Sequence, residues 1–442
     1  MTAVFGRDRK KSRTRLWLGI AWLLVLFLLS ACRNEAAVET LTAVSPVPPL
    51  ATVQPSPTIT AVPTNTPPPL ASPLPTTVPP TPEPLVSPTP AFPVYTGPPL
   101  DQQRMGIQVH IHREDLTAIF DHARILGAGW IKTQVSWKLY QPEPDRFDTD
   151  RFAELDRFVR LAGEQNMAVL LSVSKAPEWS RPTTEMDGPP SDFALFGTFM
   201  AQLAARYQGQ VAAYELWNEP NLQREWNGRF LDASDLVALI RVGAAGVREN
   251  DPAALLISSG PATTGINDRI IAIDDRLFMR EMLAAGVGEI VDGIGVHPYG
   301  WANPPDSTFA QPDTAVTNSH NNHPSFFFLD TLNDYRSLLE EFGVDRPLWV
   351  TEFGWGSFDQ LGADPPPGVS FMADVDEWQQ ALYIMRAFEL GQEKAWIGPL
   401  FLWNLNFGQL LGPDYTETGF GIIRPDGTPR PVYWSLSNAG KQ

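Results

Sequence analysis

Residues 101–442 are predicted to fold as one α/β domain, a single (β/α)8 TIM barrel, on two observations. Eight short apolar runs recur along the chain, over 106–111, 130–135, 168–173, 213–218, 255–259, 293–297, 348–352 and 400–403. Between them, stretches such as 151–164, 191–207, 233–248, 329–342 and 376–390 carry apolar residues every three or four positions, which is the helical period. Strands alternating with helices over this span favour a closed barrel above a doubly wound sheet, and no low-complexity break divides it. In such a barrel the side chains that carry chemistry project from the C-terminal ends of the strands.

The chain of 442 residues opens in a different style. Arg7, Arg9, Lys10, Lys11, Arg13 and Arg15 precede an apolar run over 16–29, followed by Ser30, Ala31 and Cys32. A basic head, an apolar segment and small residues describe an export signal. Leu29-Ser30-Ala31-Cys32 resembles the bacterial lipoprotein box, which implies lipid attachment at Cys32. Residues 1–32 are therefore expected to be a lipoprotein signal segment, the alternative being an uncleaved N-terminal transmembrane anchor. Either places the bulk of the protein outside the cytoplasm, tethered at the cell surface through its N-terminal anchor alone. Cys32 is the one cysteine, so no internal disulfide forms.

Residues 33–100 are mostly Pro, Thr, Val, Ala and Ser, with almost no charge. Such residues cannot bury a core, and proline withholds backbone donors, so this segment is expected to be a disordered, partly polyproline linker. The formal charge is −17; residues 1–32 hold six basic groups and one acid, so the remainder carries −22. An acidic domain has no electrostatic footprint for nucleic acid, and neutral substrates suit it best. A monomer is expected.

Two strand ends carry the chemistry. The fourth apolar run closes in Tyr214-Glu215-Leu216-Trp217-Asn218-Glu219-Pro220-Asn221, and the seventh in Leu348-Trp349-Val350-Thr351-Glu352-Phe353-Gly354-Trp355. A carboxyl group where a buried strand breaks into a loop can be held rigidly, partly desolvated, and still face a cleft. Two of them are the minimum for cleaving a glycosidic bond: one protonates the leaving oxygen and the other attacks the anomeric carbon. Thr351-Glu352-Phe353-Gly354 alone reads equally well as a solvated loop; Asn218-Glu219-Pro220 after Leu216-Trp217 is much more specific, and the ordered pair decides more than either.

With these residues, most of 105–433 resembles glycoside hydrolase clan A, retaining (β/α)8 enzymes with acid/base and nucleophile on strands four and seven. The cellulase-type family 5 and the xylosidase-type family 39 are similar. The resemblance implies that Glu219 is the acid/base, Glu352 the nucleophile, and Asn218 a partner of the sugar 2-hydroxyl. His297-Pro298-Tyr299 looks like the His-x-Tyr pair whose Tyr hydrogen-bonds the nucleophile, and Trp403 matches the aromatic floor under the sugar. Where cellulase-type members carry Arg on strand two, this chain has Lys132, which keeps the charge without the bidentate fork.

Trp137, Trp179, Trp301 and Trp355 also follow strand ends, and of these Trp137, Trp179 and Trp355 are taken with Lys132 as candidate substrate contacts, against a competing role in loop packing. Trp217, inside its strand, reads as packing. His110 and His112 alternate on the first strand, as in metal-dependent amidohydrolases, but strands four and eight lack the further ligands such a site needs, so no metal and no cofactor is expected. The expectation is a retaining glycosidase for β-linked oligo- or polysaccharides such as β-glucan, mannan or xylan, with the Glu219 carboxyl raised by burial and by Glu352. The alternative is a non-catalytic carbohydrate-binding lipoprotein on the same barrel.

Overall fold

The structure, a computed structural model, describes residues 92–313 and 320–442. Cys32, the signal segment and most of the expected linker lie outside the described residues. Eight parallel strands form one sheet: β1 (Met105–Gln108), β2 (Trp130–Ser136), β3 (Ala168–Ser174), β4 (Ala213–Leu216), β5 (Leu255–Ser258), β6 (Ile294–Val296), β7 (Leu348–Phe353) and β8 (Ile397–Leu402). Their order is β5-β4-β3-β2-β1-β8-β7-β6. A parallel bridge between Ile257 and Gly293 joins the two edges, with Ser258 N–H donating to Gly293 O at 3.1 Å. The sheet is thus a closed (β/α)8 barrel.

One principal helix follows each strand: α1 (Leu116–Leu126), α2 (Thr149–Glu164), α3 (Ala194–Arg206), α4 (Ala233–Asn250), α5 (Asp275–Ala284), α6 (Phe328–Glu341), α7 (Glu377–Gln392) and α8 (Pro431–Asn438). Asp115, Asp148, Asp232 and Asp274 cap α1, α2, α4 and α5 by accepting from first-turn amides, and Asp376 with Gln379 forms a capping box on α7. The sequence reading named no helix over α1, α5 or α8. Among the described residues, no helix is long and apolar enough to cross a membrane.

The barrel interior is layered. At the N-terminal end, Leu170, Ala213, Ile257, Trp349 and Phe401 form a buried cluster of their own with Trp130 packed against it. Trp130 meets Trp349 edge-on at 5.2 Å, and Trp349 stacks on Phe401 at 6.4 Å. Glycines make room for these rings: a Cβ at Gly106 would come within 2.4 Å of Phe401, and one at Gly293 within 2.5 Å of Trp349. Above this aromatic plug the interior turns polar, and above that it opens at the C-terminal mouth. A second, larger apolar core lies between the strands and the helices.

Residues ahead of 101 also pack on the barrel. Ser435 Oγ donates to Pro93 O at 2.7 Å, and the fully buried Leu100 forms a parallel bridge with Lys441. Leu100 N–H donates to Gly440 O and Gln442 N–H to Leu100 O. Pro93 is buried as well, and Tyr95 packs against the core, so the segment is docked by several side chains.

Candidate active site

The candidate acid/base stands on a contorted backbone. β4 ends at Leu216, two residues before the predicted end, because Trp217 and Glu219 both take positive φ, 80° and 39°. Backbone in this region is costly for residues with a Cβ and persists only where surroundings fix it. Here they do: Trp217 is fully buried, and its indole N–H donates to Glu225 O at 3.1 Å. The buried Asn221 stitches this loop to the next, donating to Ala262 O and Ile273 O at 2.9 Å each and accepting from Ala262 N–H at 2.8 Å.

Glu352 reaches the interior through an irregularity. Strict alternation from the inward Trp349 would turn Glu352 outward. The β7–β8 register shifts between Val350 and Phe353, so Glu352 points in while Phe353 packs on Phe328 and Phe388 outside the strands.

The two carboxyls and the His297 ring converge. One oxygen of Glu219, one of Glu352 and a nitrogen of His297 all lie within 4.8 Å of one another. Tyr299 Oη donates to Glu352 Oε2 at 3.0 Å. Lys132 Nζ lies 3.2 Å from Glu352 Oε1 and 3.0 Å from Glu215 Oε2, and donates to Thr351 O at 2.9 Å. His297 Nδ1 is 3.3 Å from Glu219 Oε1, and Nε2 is 3.7 Å from Glu215 Oε1. Arg224 Nη2 donates to Glu219 Oε2 at 2.8 Å. Asn218 is buried beside them, its Oδ1 without a protein partner.

Three carboxylates therefore face three cations. Burial favours the neutral forms of Glu215, Glu219, Lys132 and His297, but pairing prevails in all four. It raises the carboxyl of Glu215, yet Lys132 and His297 bring that group down to about 2. Burial would strip the His297 proton, yet Glu352, Glu215 and Glu219 push the imidazole up to about 10. Lys132 is likewise raised by Glu215 and Glu352 against its burial. Glu219, expected to be raised, is lowered to about 2: burial raises it, but the hydrogen bond from His297 and the charge of Arg224 outweigh burial in this resting arrangement. Glu219, His297 and Glu352 offer ligand-type atoms for a cation. The charge an ion would supply is already provided by Lys132, Arg224 and the imidazolium.

The other predicted contacts divide. Trp403 follows β8 half-exposed at the mouth, its ring 4.9 Å from Phe407, and its peptide bond to Asn404 is cis. Trp179 is also half-exposed, its indole donating to Gln141 O. Trp137 and Trp355 have no exposed surface. Trp137 stacks on Phe199 and donates to Gln141, and Trp355 donates to Asn303 O and packs on Phe328, so both are loop anchors and cannot stack on a sugar. Lys132, fully buried and committed to two carboxylates, is likewise no substrate contact; it sets the charge beneath them. The predicted alternation of His110 and His112 does not occur, because β1 ends at Gln108 and His112 Nδ1 pairs with Glu154 of α2 at 2.6 Å.

Sequence reading passed over Glu215, Arg224 and Glu225. Glu215 had a signal: an acid within an apolar strand, in inward parity two residues after Ala213. Arg224 and Glu225 lie in a loop without periodicity.

The sequence pattern of the cellulase family (glycosyl hydrolase family 5) matches residues 95–393. Among curated protein sequences, none matches the chain. Among solved structures, the chain is similar to a family 39 glycoside hydrolase from the gut symbiont Bacteroides cellulosilyticus WH2, with 22% identity and a TM-score of 0.58 over 76% of this chain. It spans 63% of that enzyme's length. It is also similar to GH5_18 from Streptomyces cattleya in complex with GlcNAc, with 15% identity and a TM-score of 0.53 over 76% of this chain and 79% of the other. The exo-β-1,4-mannosidase Op5Man5 from Opitutaceae bacterium strain TAV5 aligns at 14% identity and a TM-score of 0.51, over 78% and 60%. At such identities the likeness is one of fold.

Proposed function

Since this chain belongs to the cellulase family, glycosyl hydrolase family 5, and is a glycoside hydrolase with a carbohydrate ligand, we propose that it cleaves β-linked glycosides with retention of configuration. Glu352 attacks the anomeric carbon and forms a glycosyl ester, while Glu219 protonates the leaving oxygen; Glu219 then deprotonates the water that hydrolyses the ester. The observation that carries this reading is that one oxygen of Glu219 lies within 4.8 Å of one oxygen of Glu352, which favours the shorter of two carboxyl spacings. Inverting enzymes need ~6.5–9.5 Å to hold a water between the groups, whereas retaining ones need ~5–5.5 Å.

The surrounding groups suit these roles. Tyr299 and Lys132 orient the Glu352 carboxylate, aimed by one hydrogen bond and one ion pair. The unpartnered Oδ1 of Asn218 is an acceptor placed to receive a sugar hydroxyl. Trp403 at the mouth offers an aromatic face for a pyranose ring, and Trp179 a second, more distant one. The basic head, apolar run and Cys32 support export and anchoring at the cell surface.

The test is turnover of β-glucans, mannans, xylans and aryl β-glycosides by the wild type, Glu219→Gln and Glu352→Gln, with the product anomer followed by NMR. Loss of at least about 10³-fold in both variants and a β product at first release are expected. An α product, or full activity in either variant, would overturn the mechanism. A folded protein that binds polysaccharide without turnover would favour the carbohydrate-binding alternative.

A further inference from the structure

The resting site contains a conflict. A general acid must carry a proton when the leaving oxygen departs. Yet Glu219 is held as an anion by Arg224 Nη2 at 2.8 Å on one oxygen and by the His297 ring at 3.3 Å on the other. His297 cannot readily leave, since it has no exposed surface and lies between Glu215, Glu219 and Glu352. Arg224 can: its side chain is 30% exposed, on the loop after β4, while the Glu219 side chain is 12% exposed.

What draws Arg224 away is a question of chemistry. A sugar hydroxyl is a weak competitor for a guanidinium already on a carboxylate, because charge-assisted pairs are roughly twice as strong as neutral ones. A second carboxylate competes on equal terms and matches the planar fork. Since Glu219 faces the glycosidic oxygen, a group bonded to Glu219 borders the leaving-group sugar. The acidic domain as a whole favours neutral substrates, so an anionic group can be held only by a local cation, and the partly exposed Arg224 is one beside Glu219.

We propose that Arg224 is a specificity-determining and positioning residue that binds a carboxylate on the leaving-group sugar, a uronic acid, and by changing partners releases Glu219 to take up a proton. This rests on the assignment of Glu219 as acid/base. The proton enters from solvent, passes to the leaving oxygen, and is regained from the water that opens the glycosyl ester, so no co-reactant is required. The charged and titratable groups around the pair are His297, Glu352 and Tyr299 on the barrel side, and Glu225 with Lys175 and Asp187 on the loop side.

The experiment compares kcat/KM of the full chain on matched β-linked disaccharides whose leaving unit is a neutral hexose or the corresponding uronic acid, in the wild type, Arg224→Gln and Arg224→Lys. We expect the wild type to prefer the uronate by about tenfold or more, the least that a charged hydrogen bond supplies. Arg224→Gln is expected to abolish the preference, and on the neutral substrate to move the limb that requires a protonated acid to higher pH. Arg224→Lys is expected to keep a reduced preference. A wild-type ratio near one, or an equal loss on both substrates in Arg224→Gln with no movement of the pH profile, would overturn the proposal. Either result leaves the retaining mechanism standing, because that mechanism fails on a different outcome: activity that survives Glu219→Gln and Glu352→Gln.

Discussion

At the residue scale the site is a set of mutual obligations between charges. Lys132 has no exposed surface and serves two carboxylates, Glu215 and Glu352, that have almost none. Removing one partner of such a buried pair costs more than the pair contributes, because the charge left behind has no water to turn to. Lys132→Ala is therefore expected to lower the free energy of unfolding by ~3–5 kcal/mol, read by denaturant titration. A loss under about 0.5 kcal/mol, typical of a solvated surface charge, would contradict the picture. Glu219 and Glu352 were legible in the sequence because each ends an apolar run with a carboxyl. The partners of Lys132 were not: Glu352 is 220 positions away, and no local pattern pairs a lysine on β2 with acids on β4 and β7. The same blindness gave the wrong direction for Glu219: burial could be inferred from its strand, but Arg224 was not seen and His297, though named for the site, was not read as a partner of Glu219. It also made Trp137 and Trp355 look like sugar platforms. A tryptophan after a strand can turn into the cleft or back under the helices, and its neighbours decide which.

At the scale of elements, the strands were legible by their apolar runs and their alternation with helical periods, and their ends were not. β4 stops early because Trp217 and Glu219 leave the extended region, and β7 delivers Glu352 through a shift in register. Both departures fall on the candidate catalytic carboxylates, where local rules yield to the needs of a site. The seam between β5 and β6 is equally particular. Gly295 N–H donates to Ser258 Oγ at 3.0 Å, and a Cβ at Gly295 would come within 2.1 Å of Ser258 O and 2.9 Å of Gly260 N. Backbone cannot yield as a flexible side chain can, so Gly295→Ala is expected to destabilise by ~1–3 kcal/mol, the range for overpacking a tight interior. Thermal unfolding would show it, and an unchanged melting temperature would mean that the seam is looser than its geometry implies. His297 follows directly after this strand, so weaker closure should also loosen the imidazole between its three carboxylates.

At the scale of the whole molecule, the barrel grades from an aromatic plug at one end, through buried charge, to an open mouth at the other. The close packing of the plug holds together the strands on which the carboxylates stand. The sequence reading put the open, chemical end at the strands' C-termini, but it did not foresee the aromatic plug at the other end. The proposed tether belongs to this scale too. If Cys32 carries the lipid, Cys32→Ser should move the protein from the membrane to the soluble fraction after cell lysis, while an unchanged distribution would favour an uncleaved anchor. The pairing of Leu100 with Lys441 has one more consequence. The start and the end of the barrel lie side by side, so the eight units form a ring interrupted at a single link. Bridged there by a short connector and reopened in the exposed turn around Gly362, the same barrel could be written starting from β8 and finishing on β7, with both carboxylates still facing one another.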